Sequence, residues 1–174
     1  MPEKNRPITT LHDLLDHEAG QLINGELQLK NSLVEWIKKA SSLKLKTVLQ
    51  KYLELTGQHV QNLESFLKEE KASSIQTANR VMHALIEETD ELLSQCTDPE
   101  IKDACQLACL QTINHFKIST YGTAAAFANA LNMEKQASVF HEAEVNEKQI
   151  DDRLSQLAEH EINPKAKAPI VVTS

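Results

Sequence analysis

The stretch PEIKDACQLACLQTINHFKISTYGTAAAFANA, residues 99–130, decides the fold of this chain. Apolar or small residues recur along it every three or four positions, which is the period of one face of an α-helix. Thr97 or Asp98 is a suitable N-cap just before it, and Pro99 is favoured in a first helical turn. The stretch is therefore predicted to be one long helix, whose apolar face other helices must cover.

The same helical period continues on both sides of this stretch. The further helices are predicted over residues 10–40, 43–70, 76–94 and 133–160. Thr10 and Asp13 match a capping box, whereas Asn132 is predicted to end the long helix and cap the last one. Short connections make the first two and the last two long helices antiparallel pairs. The prediction is an all-α, ferritin-like antiparallel four-helix bundle with an additional short helix between the second and third long helices.

Composition and charge argue against several classes of protein, namely nucleic-acid-binding, membrane-spanning and secreted proteins. The 174 residues carry 18 Lys and Arg against 25 Asp and Glu, for a net charge of -7. Such a chain, without a basic cluster, is a poor nucleic-acid binder. No apolar run near about 18 residues and no charged-then-apolar leader is present, so neither a membrane span nor a secretory signal is expected. We expect a cytoplasmic protein with a polar lead-in (1–9), a bundle (10–160) and a flexible tail (161–174).

The three cysteines are Cys96, Cys105 and Cys109. An odd number in a helical cytoplasmic chain argues against a disulfide framework. Cys105 and Cys109 share a helix face and, with two further ligands, would suit zinc, but their apolar neighbours favour small buried thiols.

Each long helix interrupts its apolar stripe with a polar residue near its midpoint. The interrupting residues are Glu26, His59, Asn114 or His115, and Glu147. Helix midpoints share one level in an up-down bundle, so these side chains are predicted to lie in one layer. A buried carboxylate costs several kcal/mol unless a cation or donors meet it. A metal ion or a lysine is therefore expected between Glu26 and Glu147.

Several segments resemble the YciE/YciF-like family of ferritin-like bacterial proteins, a domain family of unknown function. The segment HFKISTYGT, residues 115–123, is similar to the family's His-Tyr-Glu-Ile-x-x-Tyr-Gly-Thr, and the resemblance spans residues 11–158. It implies an association with bacterial stress conditions and a fold related to di-iron carboxylate bundles. Such bundles use about four carboxylates and two imidazoles to hold two metal ions.

This chain departs from the family at the implied metal ligands. The positions that match acidic or imidazole ligands are Glu26, His59, Glu147 and Asp151. Thr56 stands where a Glu-x-x-His motif would place its glutamate, and Asn114 and Lys117 stand where the family has glutamates. Asn146 replaces another acidic residue. A protonated ammonium repels a metal ion, so Lys117 is predicted to supply the positive charge itself.

Three function classes follow from the resemblance and the departures. The first is a stress-associated protein with a degenerate di-metal site, acting structurally or by association rather than as a catalyst, with no cofactor. The second binds a single iron, manganese or zinc ion through Glu26, His59, His115 and Glu147. The third, a di-iron oxidase or peroxidase, is disfavoured by the missing carboxylates. The plainer interpretation of both histidines is a hydrogen-bonded core or boundary side chain.

A homodimer is the expected assembly. Val34 and Trp36 lie beside the core stripe of the first helix, and the short helix carries more apolar surface than it needs. Exposed apolar faces on long helices favour association with a partner.

Overall fold

The computed structural model describes residues 7–71 and 77–167, and within these ranges the chain contains helices but no strand. The helices are α1 (Leu11–Lys39), α2 (Leu43–Glu69), α3 (Arg80–Gln95), α4 (Pro99–Ala130), α5 (Glu134–Leu157) and α6 (Asn163–Ala166). α1 packs on α2 and α4 on α5, and contacts of α1 with α4 and of α2 with α5 close the bundle. The predicted ferritin-like four-helix bundle with an additional short helix is confirmed.

Capping side chains fix where the helices begin. Thr10 and Asp13 form the predicted capping box, because the Asp13 amide donates to Thr10 Oγ1 and the Thr10 amide donates to Asp13 Oδ2, both at 3.0 Å. Asp98, rather than Thr97, caps α4 by accepting from the first-turn amides. These interactions stabilise helix ends that would otherwise leave donors unpaired.

The turn between α4 and α5 differs from the prediction. Asn132 does not cap α5, since Met133 occupies the N-cap position and makes no side-chain cap. Asn132 instead has a φ of 57°, in the left-handed region. Asparagine tolerates this conformation better than most residues, so it reverses the chain direction here.

The ends of α3 and α5 also differ from the predicted ranges. α3 begins at Arg80, after the N-cap Asn79. After Leu157 the chain passes through a π-helical turn, Ala158–Ile162, into α6, so helical structure continues beyond residue 160. Ile162 is buried in the core, which explains the continuation. The predicted helix start at residue 76, and the parts of the lead-in and tail over 1–6 and 168–174, lie outside the described residues.

The apolar core consists of two clusters, one towards each end of the bundle. One contains Leu33, Trp36 and Leu107, and the other contains Leu22, Phe66 and Phe140. In each long helix the polar midpoint residues lie between the members of the two clusters. A polar layer therefore divides the core.

Two surface expectations need correction. Trp36 is fully buried, and its Nε1 donates to Asp90 Oδ1 at 2.8 Å, so it is not available to a partner. The three cysteines are half-buried rather than buried. No helix in the described ranges combines the length and the apolar character needed to cross a membrane.

Candidate functional site

Four helices bring polar side chains together at the middle of the bundle. The buried polar residues of this layer are Glu26 from α1, Thr56 and His59 from α2, Asn114 and Lys117 from α4, and Glu147 from α5, each no more than 2% exposed. Each lies on the inward stripe of its helix, so helical periodicity alone directs it into the core.

Lys117 lies between the two buried carboxylates. Its Nζ is 3.0 Å from Glu26 Oε2 and 2.5 Å from Glu147 Oε1. It is also 4.6 Å from the centroid of the Tyr52 ring, within the range of a cation–π contact. Within the described part of the chain, these three charged atoms have no other hydrogen-bond partner. The ammonium and the carboxylates therefore depend on one another for charge compensation.

Neutral donors meet the remaining carboxylate oxygens. Tyr121 donates its hydroxyl to Glu26 Oε1 at 2.6 Å. Tyr52 donates to Glu147 Oε2 at 2.7 Å, and Asn114 Nδ2 donates to the same oxygen at 2.7 Å. Hydrogen bonds to ionised carboxylates are stronger than neutral ones, so these donors offset the excess negative charge of two carboxylates facing one ammonium.

His59 completes the layer from α2. Its Nδ1 lies 3.2 Å from Glu26 Oε1 and 3.5 Å from Glu147 Oε1. Its Nε2 is 3.4 Å from Asn146 Nδ2. An amide NH₂ only donates, so in this arrangement Nε2 accepts and the ring proton is on Nδ1, facing the carboxylates. In this arrangement His59 donates from Nδ1 towards the carboxylates.

Burial and the neighbouring charges shift the pKa values of four members of the cluster. Burial alone would lower the pKa of Lys117, but the carboxylates of Glu147 and Glu26 outweigh it and raise that pKa. Burial would raise the pKa of Glu26, but the Lys117 ammonium and the His59 and Tyr121 contacts lower it overall. Burial and the nearby carboxylates raise the pKa of Tyr52 and Tyr121 well above the usual value, so both remain donors.

Two predicted site residues do not join the cluster. The Thr56 hydroxyl is buried but donates to the Tyr52 carbonyl of its own helix at 2.8 Å. His115 lies on the outside of the bundle with its side chain 64% exposed, where Nε2 is 2.8 Å from Asp151 Oδ1. Asn114 takes the inward position because neighbouring residues on a helix point about 100° apart.

The sequence analysis did not assign the two tyrosines to the site, and it named Asn146 only as the replacement of an acidic residue. The rings of Tyr52 and Tyr121 fit the apolar stripes of their helices, although each residue is one turn from a residue of the layer. A tyrosine at this depth needs a partner for its hydroxyl, and that requirement was the available signal.

The residues do not fit a pair of metal ions. Glu26, His59 and Glu147 can each direct one ligand atom to a common point, with these atoms within 4.8 Å of one another. A di-iron site requires about twice as many carboxylates and a second imidazole. Lys117 already pairs with both carboxylates and would repel an incoming cation.

Comparisons with known proteins agree with the fold. Residues 10–167 match the family model described as Domain of unknown function (DUF892). The chain is 30% identical over 161 residues to Protein YciF of Escherichia coli (strain K12), covering 92% of this chain and 97% of that protein.

Two solved structures are similar over nearly their whole length. The E. coli stress protein YciF has a TM-score of 0.84 at 28% identity, covering 90% of this chain and 99% of that one. YcfI, a proposed structural protein from Rhodopseudomonas palustris, has a TM-score of 0.83 at 26% identity, covering 87% and 97%. The predicted resemblance is thereby confirmed, and the chain belongs to the DUF892 family.

Proposed function

We propose that this protein is a stress-associated bacterial protein of the cytoplasm that acts structurally or by association, with an ammonium in place of metal ions in its core. The observation that carries the proposal is the position of Lys117 between Glu26 and Glu147. The description of one relative as a stress protein and of another as a proposed structural protein supports the biological part.

The proposal assigns no catalytic role to the layer, because an ammonium lacks the chemistry that a metal ion would supply. A lysine supplies one positive charge permanently, and it neither changes oxidation state nor opens a coordination position. The buried charges are then structural, since they are paired and hydrogen-bonded rather than offered to a substrate. We also propose that the protein does not bind nucleic acid, in line with its net charge of -7.

A single-metal protein is the second candidate function. It is favoured by the convergence of Glu26, His59 and Glu147, whose ligand atoms lie within 4.8 Å of one another. One iron, manganese or zinc ion there would have to displace the Lys117 ammonium from both carboxylates. His115 cannot take part from its position outside the bundle.

Metal content after purification without chelator distinguishes the two candidates. We expect protein expressed with added iron to carry no stoichiometric metal, because Lys117 occupies the carboxylates. We expect Lys117→Glu to gain a metal-dependent increase in melting temperature with Mn²⁺ or Fe²⁺, since binding to the folded state stabilises it. Lys148→Glu on the exposed side of α5 is the matched control and should not respond.

Elemental analysis also defines the contrary outcomes. Two irons per parent chain would exclude the structural proposal. About one tightly held ion per chain would establish the single-metal candidate instead.

We further propose that the protein forms a homodimer through the outer face of α1. Leu27 and Val34 are 41% and 42% exposed and lie two turns apart on this face. Apolar side chains aligned along a long helix favour burial against a second copy.

A further inference from the structure

A second group of metal-ligating side chains lies at the end of the bundle where α1 begins and α2 ends, away from the polar layer. His12 is in the first turn of α1, which the Thr10 cap fixes in position. Asp16 follows one turn later, and Glu70 is the C-cap residue of α2. Gln136 of α5 donates to Glu70 Oε1 at 3.4 Å, so three helices determine where these side chains lie.

Each nitrogen of the His12 ring faces a different carboxylate. Nδ1 is 3.4 Å from Asp16 Oδ2, and Nε2 is 3.4 Å from Glu70 Oε2. A neutral imidazole carries one proton, so it can donate to only one of the two oxygens and presents a lone pair to the other. A cation on the second nitrogen makes both contacts favourable. The arrangement therefore suits a ring that binds a further proton or a metal ion.

The surroundings of His12 carry excess negative charge. Within the described ranges, neither Asp16 nor Glu70 lies within ion-pair distance of a lysine or arginine. Asp16 Oδ1 is buried without a hydrogen-bond partner. Burial raises the pKa of Asp16, and the carboxylates of Glu70 and Asp13 add to this effect, whereas His12 opposes it. A divalent ion offsets more of this charge than a proton does, and it binds the neutral imidazole that is present above about pH 6.5.

We propose that His12 Nε2 and Glu70 Oε2 bind a divalent ion of the zinc type, which joins the start of α1 to the end of α2. Zinc bonds to histidine nitrogen and carboxylate oxygen at about 2.0–2.2 Å, so two ligand atoms of a tetrahedral ion are about 3.4 Å apart. The two proposed ligand atoms have this separation. Asp16 accepts the Nδ1 proton and orients the ring, as carboxylates commonly do for histidines that bind a metal.

The site is open to solvent and has only two protein ligands. The His12 side chain is 45% exposed, so water can complete the coordination of the ion. An ion held in this way exchanges with solvent and is lost during purification, so it does not add to tightly held metal in the polar layer. Mn²⁺ and Fe²⁺ bind imidazole ligands more weakly than Zn²⁺ does, which separates this site from a metal test with those two ions.

Zinc titration of the intact chain, followed by NMR of the histidine rings, tests the proposal. The protein is first freed of metal with a chelator and then titrated with Zn²⁺ near neutral pH. We expect a saturable shift of the His12 Nε2 resonance that a chelator reverses. We also expect the melting temperature to rise with zinc concentration, because the ion binds the folded state. The NMR measurement resolves each histidine and requires no variant.

Three variants identify the ligands. His12→Gln should abolish the zinc-dependent rise in melting temperature, and Asp16→Asn should weaken zinc binding about tenfold. His83→Gln is the matched control, because His83 faces a single carboxylate, with Nε2 3.3 Å from Glu87 Oε1 within one helix. This variant should respond to zinc as the parent does.

The contrary results are equally specific. The proposal is overturned if millimolar zinc leaves the His12 resonance unchanged, or if His83 binds zinc as tightly as His12 does. A His12 ring that responds to acidification but not to zinc binds only a proton, which also overturns it. Zinc that shifts His59 instead of His12 would support the single-metal candidate for the polar layer and exclude the site proposed at the end of the bundle.

Discussion

Lys117 carries the only positive charge that contacts Glu26 and Glu147 in the described part of the chain, apart from any charge on His59. Replacing it by methionine keeps much of the side-chain length and removes the charge. Breaking a buried ion pair in this way costs about 3–5 kcal/mol, because the partner charges remain buried. We expect Lys117→Met to lower the free energy of unfolding by this amount at neutral pH.

The same variant should recover stability on mild acidification. Without the ammonium, burial raises the pKa of the carboxylates in the folded state above that in the unfolded state. A raised folded-state pKa contributes stability that is present at low pH and lost as pH rises through it. Thermal melts at two pH values measure the effect, with Lys148→Met on the exposed face of α5 as control. Melting like the parent at every pH would show that Lys117 does not balance the layer.

The lowered pKa of Glu26 predicts how the stability of the unmodified protein falls at acidic pH, which is its acid limb. Its pKa is lowered from the usual 4.5 by Lys117 and its hydrogen bonds, against the opposing effect of burial. A lowered folded-state pKa contributes stability above the unfolded pKa, and this is lost as pH falls through the folded value. We therefore expect the melting temperature to fall progressively below about pH 4.5. Glu26→Gln should be less stable at neutral pH but show a shallower acid limb, and an equally steep limb would contradict the assignment.

The residues of the site could be predicted only where the helical period alone shows which side chain points into the core. Glu26, His59 and Glu147 each interrupt an apolar stripe alone, so their inward position followed directly from the period. Asn114 and His115 are adjacent, and the stripe is wide enough to include either, so only packing could decide. The hydroxyls of Tyr52 and Tyr121 were missed because a hydropathy pattern does not separate their apolar rings from their polar ends.

At the scale of elements, Gly25 allows α3 to lie close to α1. A Cβ at this position would be 2.8 Å from Asn79 Nδ2. Asn79 caps α3 through the Met82 amide and donates to the Gln21 carbonyl, so displacing it would lose both interactions. An N-cap contributes about 1 kcal/mol, which cancels the gain in helix propensity from glycine to alanine, and the second hydrogen bond adds a further loss.

We therefore expect Gly25→Ala to destabilise the protein by about 1 kcal/mol in urea unfolding. Gly57 is the matched control, because nothing lies within 4 Å of the Cβ that alanine would add there. Gly57→Ala should raise stability by up to about 1 kcal/mol through helix propensity. Equal effects of the two substitutions would show that the Asn79 contact does not limit the approach of α3.

Some helix ends are marked in the sequence by a capping side chain, whereas others depend on how the chain packs. The capping box at Thr10 and the Asp98–Pro99 pair have local chemistry that identifies a boundary in the sequence alone. Asn132 has two possible roles, as an N-cap or as a left-handed turn residue, and the geometry of the chain reversal selects the second. The π-helical turn after Leu157 depends on burial of Ile162 against the bundle, which no local pattern encodes.

At the scale of the whole molecule, the fold was predictable because independent features of the sequence favour the same structure. Helical period, short connections and caps all indicate antiparallel pairs, and the two apolar clusters are continuous with the stripes. The exception is the polar layer, where Lys117, Glu26 and Glu147 would be unfavourable one at a time. Their compatibility arises only when four helices meet, so helical period alone left a metal ion or a lysine open, and the departure from the family pattern was what indicated Lys117.

Assembly is the property of the whole molecule that remains a prediction, and Trp36 no longer supports it because it is buried. Leu27 and Val34 on the outer face of α1 still support a dimer, because pairing with a second copy would remove this apolar surface from water.

We expect light scattering to give about twice the 19.5 kDa mass of one chain. Substituting both residues by lysine should return the mass to that of one chain without unfolding it. Leu43→Lys is the matched control, since Leu43 is 79% exposed at the start of α2 and lies off this face. A single-chain mass for the parent over a wide concentration range, or a dimer that survives the double substitution, would exclude this face as the interface.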